Sequence, residues 1–209
     1  MARYTGPKNR LSRREGMDLG HKTPGSHAHA SMLRRMGIGP GVHGAKGRRK
    51  VSDFGIQLRE KQKVKRLYGV LERQFRKTFQ QAKKWKGNTG EKLIEFLESR
   101  LDNMLYRLGF ATSRTEARQL IRHRHFMVNN RQVDIPSYLV KLGDVVQVRE
   151  KSRTIARIKE SVETAKQRGI PGWVEVDAEH FQGKIIALPK REEITMPIKE
   201  QLIVELYSK

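Results

Sequence analysis

The stretch SRTEARQLIRHRHFMVNN, residues 113–130, changes its hydrophobic period midway, and few folds accommodate that change. Its first half repeats apolar residues at helical spacing: Ala117, Leu120 and Ile121. Ser113 and Glu116 stand three residues apart just before them, the pattern of a capping box that sets a helix start. From Phe126 to Val128 the chain reads as a strand, and Asn129 and Asn130 tolerate the positive φ of a tight turn. Arg131, Gln132 and Val133 begin the return strand. A helix running into a hairpin predicts an α+β unit. Arg114, Arg118 and Arg122 recur every four residues along a face beside the apolar one, with His123 next to the last of them. A guanidinium row of this kind can fork onto phosphate oxygens. As an exposed row it should matter to polyanion binding and little to stability.

The segments around it complete the unit. Leu93, Ile94, Leu97, Leu101, Leu105 and Leu108 carry a helical pattern. Ser99 and Asp102 have capping-box spacing, which predicts a fresh helix from residue 100, and Gly109 is placed to end it. Downstream, YLVKLGDVVQVRE has a Gly-Asp turn before a valine-rich strand. Further on, WVEVD and KIIAL read as strands, PIKEQLIVELY as a helical turn running into a strand, and Trp173 as a packing anchor.

Upstream, Ser52 is a cap for one long helix. Val64, Leu67, Tyr68, Leu71, Phe75, Phe79 and Ala82 fall on one stripe, with Arg59, Lys63, Arg66, Arg73 and Lys77 roughly opposite. That basic stripe has few compensating acids, which favours phosphate contact over mere solvation. The sign of the whole chain agrees. Among 209 residues, 44 Lys and Arg face 22 Asp and Glu, a net charge of +22. So large an excess repels itself and calls for a polyanion, nucleic acid before an anionic membrane. No apolar run approaches the roughly 20 residues of a membrane span, and the basic start MARYTGPKNR has no apolar core of a secretory signal.

Residues 1–50 hold 12 Lys/Arg, 2 Asp/Glu and 9 of the 18 glycines, with few apolar residues. TPGSH, IGPGVHG and AKGRRK predict turns and loops, so this block is expected to gain at least part of its order from an RNA surface. The chain has no cysteine, which excludes disulfides and cysteine-ligated zinc. His21, His27, His29 and His43 lack finger spacing, and no metal or other cofactor is expected.

RLDNMLYRLGFATSRTEARQLIRHRHFMVNNRQV, with PSYLVKLGDVVQV, resembles the S-four RNA-binding module. GIQLREKQKVKRLYGVLERQFRKTF, LSRREG, PGVHGAKGRR and the terminal LIVELYSK resemble the bacterial small-subunit ribosomal protein four family, over nearly the whole chain. The resemblance implies a cytoplasmic, ribosome-bound, structural protein without catalytic residues. It implies early binding of 16S rRNA to nucleate the subunit body, and a role in decoding accuracy. It also implies contacts with neighbouring ribosomal proteins, notably protein five, and with mRNA near its entrance, but not with a membrane. Carried over by motif, Arg13, Arg14, Arg59, Lys61, Lys63, Arg66 and Tyr68 become rRNA-side candidates, as do Arg107, Arg114, Arg118 and His123. Arg73 and Arg122 join them from the basic faces, and Lys46, Arg48 and Arg49 match the mRNA entrance. The module usually has a glycine after its helix and another in its hairpin, where this chain has Arg124 and Asn130.

The expected organisation is a basic loop-rich extension (1–50), a helical part of domain one (51–98), the module (99–162), and a tail (163–209) returning to domain one. The alternatives are an RNA-modifying enzyme accessory, an RNA-chaperone-like protein using the same module, and a DNA-architectural protein. An enzyme would need a catalytic pocket, yet GIGPGVHG lacks the Lys-Ser/Thr of a phosphate loop.

Overall fold

A computed structural model describes residues 4–46 and 50–208. They form two compact units. One runs to Leu93 and resumes at Met196, and the other is Ile94–Thr195.

In the first unit, α1 (Lys8–Glu15) and α2 (His27–Arg34) occupy the block expected to be loops. The composition is indeed poor in apolar residues, but two of them suffice locally: Leu19 and Met32 are fully buried. Polar bonds supply the rest. Asn9 donates to the Ala28 carbonyl at 3.0 Å, and Arg13 donates to the carbonyls of Ile38 and Gly39, each at 3.0 Å. The long helix expected from residue 52 is two helices, α3 (Asp53–Leu67) and α4 (Glu72–Lys83). Ser52 caps the first as expected, accepting from the Gly55 N–H at 3.3 Å. Gly69, at φ 61°, turns the chain between them, so the stripe from Val64 to Ala82 bends. Helix α9 (Glu200–Ser208) packs on α3. The sequence suggested a strand at its end, but Ile203 is buried while Leu202 and Val204 are only partly so, the one-sided burial of a docked helix. Tyr207 stacks with Phe79 at 4.6 Å and Phe75 at 6.3 Å between centroids.

Helix α5 (Thr89–Glu98) leads to the second unit, where α6 (Leu101–Arg107) and α7 (Arg114–Arg122) precede a five-stranded antiparallel sheet. The strands are β1 (Phe126–Val128), β2 (Arg131–Gln132), β3 (Val145–Val148), β4 (Val174–Asp177) and β5 (Gln182–Ile185), in the order β2-β1-β3-β5-β4. The Asn-Asn turn forms as expected, with φ of 48° and 61° and Val128 paired to Arg131. Arg124, where the resemblance expected a glycine, holds a left-handed conformation, φ 64°, a region that favours glycine. The core joins Leu101, Leu105, Leu108, Phe110, Ile121, Phe126, Val146, Trp173 and Ile185. Trp173 is 1% exposed, a packing anchor.

Residues 163–195 stay in this unit, contrary to the expected return of the whole tail; the return begins at Met196. The reason is pairing. β5 adds to β3 with Val146 opposite Gly183, so β4 and β5 find cover on the module's own sheet. A Cβ on Gly183 would lie 2.4 Å from Leu108, which explains glycine at that crossing. Between β3 and β4, α8 (Ala156–Arg168) passes Gly109 so closely that a Cβ there would lie 2.2 Å from that of Ala165.

One half-exposed polar joint in the first unit is pH-sensitive. Glu72 accepts from Lys61 at 2.7 Å, Lys65 at 2.8 Å and Tyr207 at 2.9 Å. Burial pushes its carboxyl up, but those three donors outweigh it and hold the pKa at about 2, below the ordinary 4.5. A depressed carboxylate stabilises the fold above its unfolded pKa and loses that contribution as pH falls through the folded one. The parent is therefore expected to be more stable than Glu72→Gln above about pH 4.5. Urea titrations should show that advantage closing as pH falls from 4.5 towards 2; a gap independent of pH would contradict the pairing.

Candidate nucleic-acid interface

The guanidinium row of α7 divides into structural and exposed members. At its inner end, Asp102 and Glu98 are buried carboxylates. Asp102 Oδ1 accepts from Arg100 Nε at 3.1 Å and from the Asn103 N–H at 3.0 Å. Its Oδ2 accepts from Arg100 Nη2 at 3.0 Å and from Arg118 Nη2 at 2.5 Å and Nε at 3.1 Å. Glu98 grips Arg107 through two parallel bonds of 2.9 and 2.8 Å. Asn103 links the two acids: its Nδ2 donates to Glu98 Oε2 at 2.6 Å, and its Oδ1 accepts from Arg114 Nε at 2.7 Å. Arg114 also lies 4.6 Å from the Tyr106 ring centroid. So Arg107, Arg114 and Arg118, three of the candidates, come together around carboxylates. Arg114 is buried, Arg118 is partly buried, and only Arg122 and His123 are exposed.

The local geometry follows from the caps. Ser113 Oγ accepts from the Glu116 N–H at 3.3 Å, half of the expected box. Glu116 returns its bond one residue earlier, accepting from the Thr112 N–H at 2.9 Å. The expected Ser99–Asp102 box does not form. The Leu101 and Asp102 N–H groups donate instead to the carbonyls of Tyr138 and Pro136, at 2.8 and 3.1 Å, and Ser99 Oγ donates to the Glu95 carbonyl at 2.8 Å. A segment nearly forty residues downstream thus caps α6 and leaves Asp102 to the arginines.

The supposed basic face of α3 is largely a docking face. Lys61, itself buried, and Lys65 converge on Glu72. Lys63 donates to the Pro197 carbonyl at 2.7 Å and pairs with Glu60 at 2.6 Å. Glu60 also accepts from the Lys199 N–H at 2.8 Å, and Gln57 donates to Glu205 at 2.8 Å. These bonds seat α9. Arg59, at 3.4 Å, and Arg66 both reach Glu15 of α1. Burial raises the Glu15 carboxyl, and the two guanidinium groups oppose that shift. Tyr68 is 1% exposed, so its ring belongs to the core and not to an accessible surface, as its place in the apolar stripe indicated.

Of the remaining candidates, Arg13 is held by the Ile38 and Gly39 carbonyls, while Arg14 and Arg73 are exposed. Lys46 is exposed in a turn at Gly44–Lys46, and Arg48 and Arg49 lie outside the described residues. Several further exposed cations were not named as candidates: Arg76 within α4, Lys83, Lys84 and Lys86 at and beyond its end, and Arg124 and Arg131 around the hairpin. A signal for the first group existed. Each lies off the Phe75–Phe79–Ala82 stripe, and the three lysines stand in a run from 83 to 86 without acids. Arg124 pairs with exposed Asp134 at 3.3 Å, a weak solvent-screened contact.

Two family descriptions match. "Ribosomal protein S4/S9 N-terminal domain" covers residues 3–98, and "S4 domain" covers residues 99–146. The chain is 59% identical to small ribosomal subunit protein uS4 of Geobacter sp. (strain M21), and 59% identical to that of Citrifermentans bemidjiense. It is 56% identical to that of Geobacter sulfurreducens. Each alignment spans all 209 residues and the full length of both chains.

The network separates two arginines that the sequence treated alike. Arg118→Ala removes one partner of a buried carboxylate and is expected to lower stability by about 1–3 kcal/mol. Arg122→Ala should stay within roughly 0.5 kcal/mol of the parent. Urea unfolding of the two variants measures this directly; equal stability would place Arg118 among the dispensable surface charges.

Proposed function

The chain belongs to the uS4 family of small ribosomal subunit proteins, and on that premise we propose that it is a primary rRNA-binding protein of the subunit body. The family is structural and not enzymatic, and it resides in the ribosome of the bacterial cytoplasm. Binding rRNA early nucleates assembly, because a protein that bridges RNA helices fixes their geometry before later proteins arrive. The finer reading includes decoding accuracy, contact with ribosomal protein five, and contact with mRNA at its entrance through Lys46, Arg48 and Arg49.

The observation that carries this reading is the net charge of +22 that remains after the acids have been used. Glu15, Glu60, Glu72, Glu98 and Asp102 are committed to internal pairs. Arg14, Arg73, Arg122 and His123 stay exposed as rRNA-side groups. Arg107, Arg114, Arg118, Lys61, Lys63 and Arg66 support the surface from behind, and a guanidinium that is already bonded can still offer remaining N–H donors to phosphate. Tyr68 acts through packing.

Contacts with many phosphates release counterions, so log K for small-subunit rRNA should fall by about 0.7–0.9 per contact for each tenfold rise in salt. A slope equivalent to at least about five contacts is expected, read by filter binding from low to moderate salt. A slope equivalent to one or two contacts would defeat the extended-surface reading. For the entrance, combined Lys46→Ala, Arg48→Ala and Arg49→Ala should reduce crosslinking to mRNA in reconstituted subunits while leaving rRNA binding close to the parent. Unchanged mRNA crosslinking would remove these three from the proposed path.

A further inference from the structure

The chain's two tryptophans have opposite surroundings. Trp173 is buried in the second unit, whereas Trp85 is 58% exposed just beyond α4. Phe75, Phe79 and Ala82 form the buried face of that helix, and Trp85 lies outside it. Its backbone is nevertheless held: the Trp85 N–H donates to the Ala82 carbonyl at 3.1 Å. Its ring is held as well. Lys92 Nζ lies 4.1 Å from the ring centroid, within cation–π range. Lys83, Lys84 and Lys86 are exposed on either side of it in sequence. The nearest acid in sequence, Glu91, accepts from Asn88 Nδ2 at 2.8 Å.

An exposed, oriented indole among ammonium groups offers a flat apolar face within a positive field. A nucleobase on its phosphate backbone complements both features at once. An apolar protein pocket would be complementary to the ring and not to the lysines. We infer that Trp85 is a stacking platform for an unpaired RNA base, with Lys84 and Lys86 on the flanking phosphates. This deepens the rRNA-binding reading and rests on it. The indole supplies base contact, which the phosphate-directed cations do not.

The test uses the full chain and a transcript of the complete small-subunit rRNA. The Trp85 emission is obtained as the difference between the parent and Trp85→Phe. RNA is expected to quench that emission and shield it from acrylamide. Trp85→Ala should bind roughly 5- to 150-fold more weakly, the range of one lost base–aromatic stack. Its melting temperature and salt slope should match the parent's, and Trp85→Phe should keep most of the affinity. Lys84→Gln with Lys86→Gln should instead flatten the salt slope by about one to two contacts. Suppose the parent binds rRNA while Trp85 emission and acrylamide access stay unchanged, or Trp85→Ala binds like the parent. The platform is then wrong and the rRNA reading stands. Shielding that arises only when other subunit proteins are added also overturns it, in favour of a protein contact. Failure of the parent to bind would remove both.

Discussion

Asp102 is the constraint on which the second unit turns. One buried carboxylate accepts from two arginines and a backbone N–H, and it stands at the start of α6. Arg118 comes from α7, so a single side chain fixes the register of two helices. Removing it would leave guanidinium groups buried without compensation, a situation that costs about 3–5 kcal/mol. Glu98 and Asn103 extend the same joint to Arg107 and Arg114. Close-packed apolar neighbours, Leu101, Leu105, Ala117 and Ile121, then lock the helices in the geometry that the ion pairs select.

The first unit uses its acids in the same way. Glu15 ties α1 to α3, Glu60 holds the start of the returning segment, and Glu72 joins α3 to α9. A chain of net charge +22 resists compaction. Placing scarce carboxylates at the joints between elements relieves that repulsion where the chain must come close. Arg14, Arg73 and Arg122 lie outside these joints and are exposed. Paired and exposed basic residues are thus two sets that look alike in the sequence.

That division explains which site residues could be read in advance. Arg122 and His123 lie beyond the buried network and are exposed, in line with a basic face on α7. Lys63 was read on a basic face and Lys61 as a candidate by resemblance. Glu60 stands only three residues from Lys63, a pairing the helical spacing allowed, but Glu72 is eleven residues from Lys61 and the Pro197 carbonyl is 134 residues from Lys63. No local pattern announces the two longer-range contacts. Trp85 was overlooked for a related reason: a lone aromatic after a helix has no period, and only its exposure distinguishes it from Trp173.

Local chemistry alone determined much of this protein. The caps at Ser52 and Ser113 and the Asn-Asn hairpin act within a few residues. So does the switch from helical to alternating period, and WVEVD forms a strand where its residues indicate, whereas the strand read at KIIAL lies two residues earlier and ends at Ile185. The α+β class and the family follow from those strings. Tertiary structure decided what depends on distant partners. β5 pairs with β3 and keeps the strands of the tail in the second unit, while α9 becomes a helix because α3 offers it a face. The carbonyls of Pro136 and Tyr138 displace Ser99 from its cap. Whether an arginine or lysine is structural or exposed depends on a carboxylate's position in space, and burial makes that pairing obligatory because an unpaired buried charge is far more costly than an exposed one.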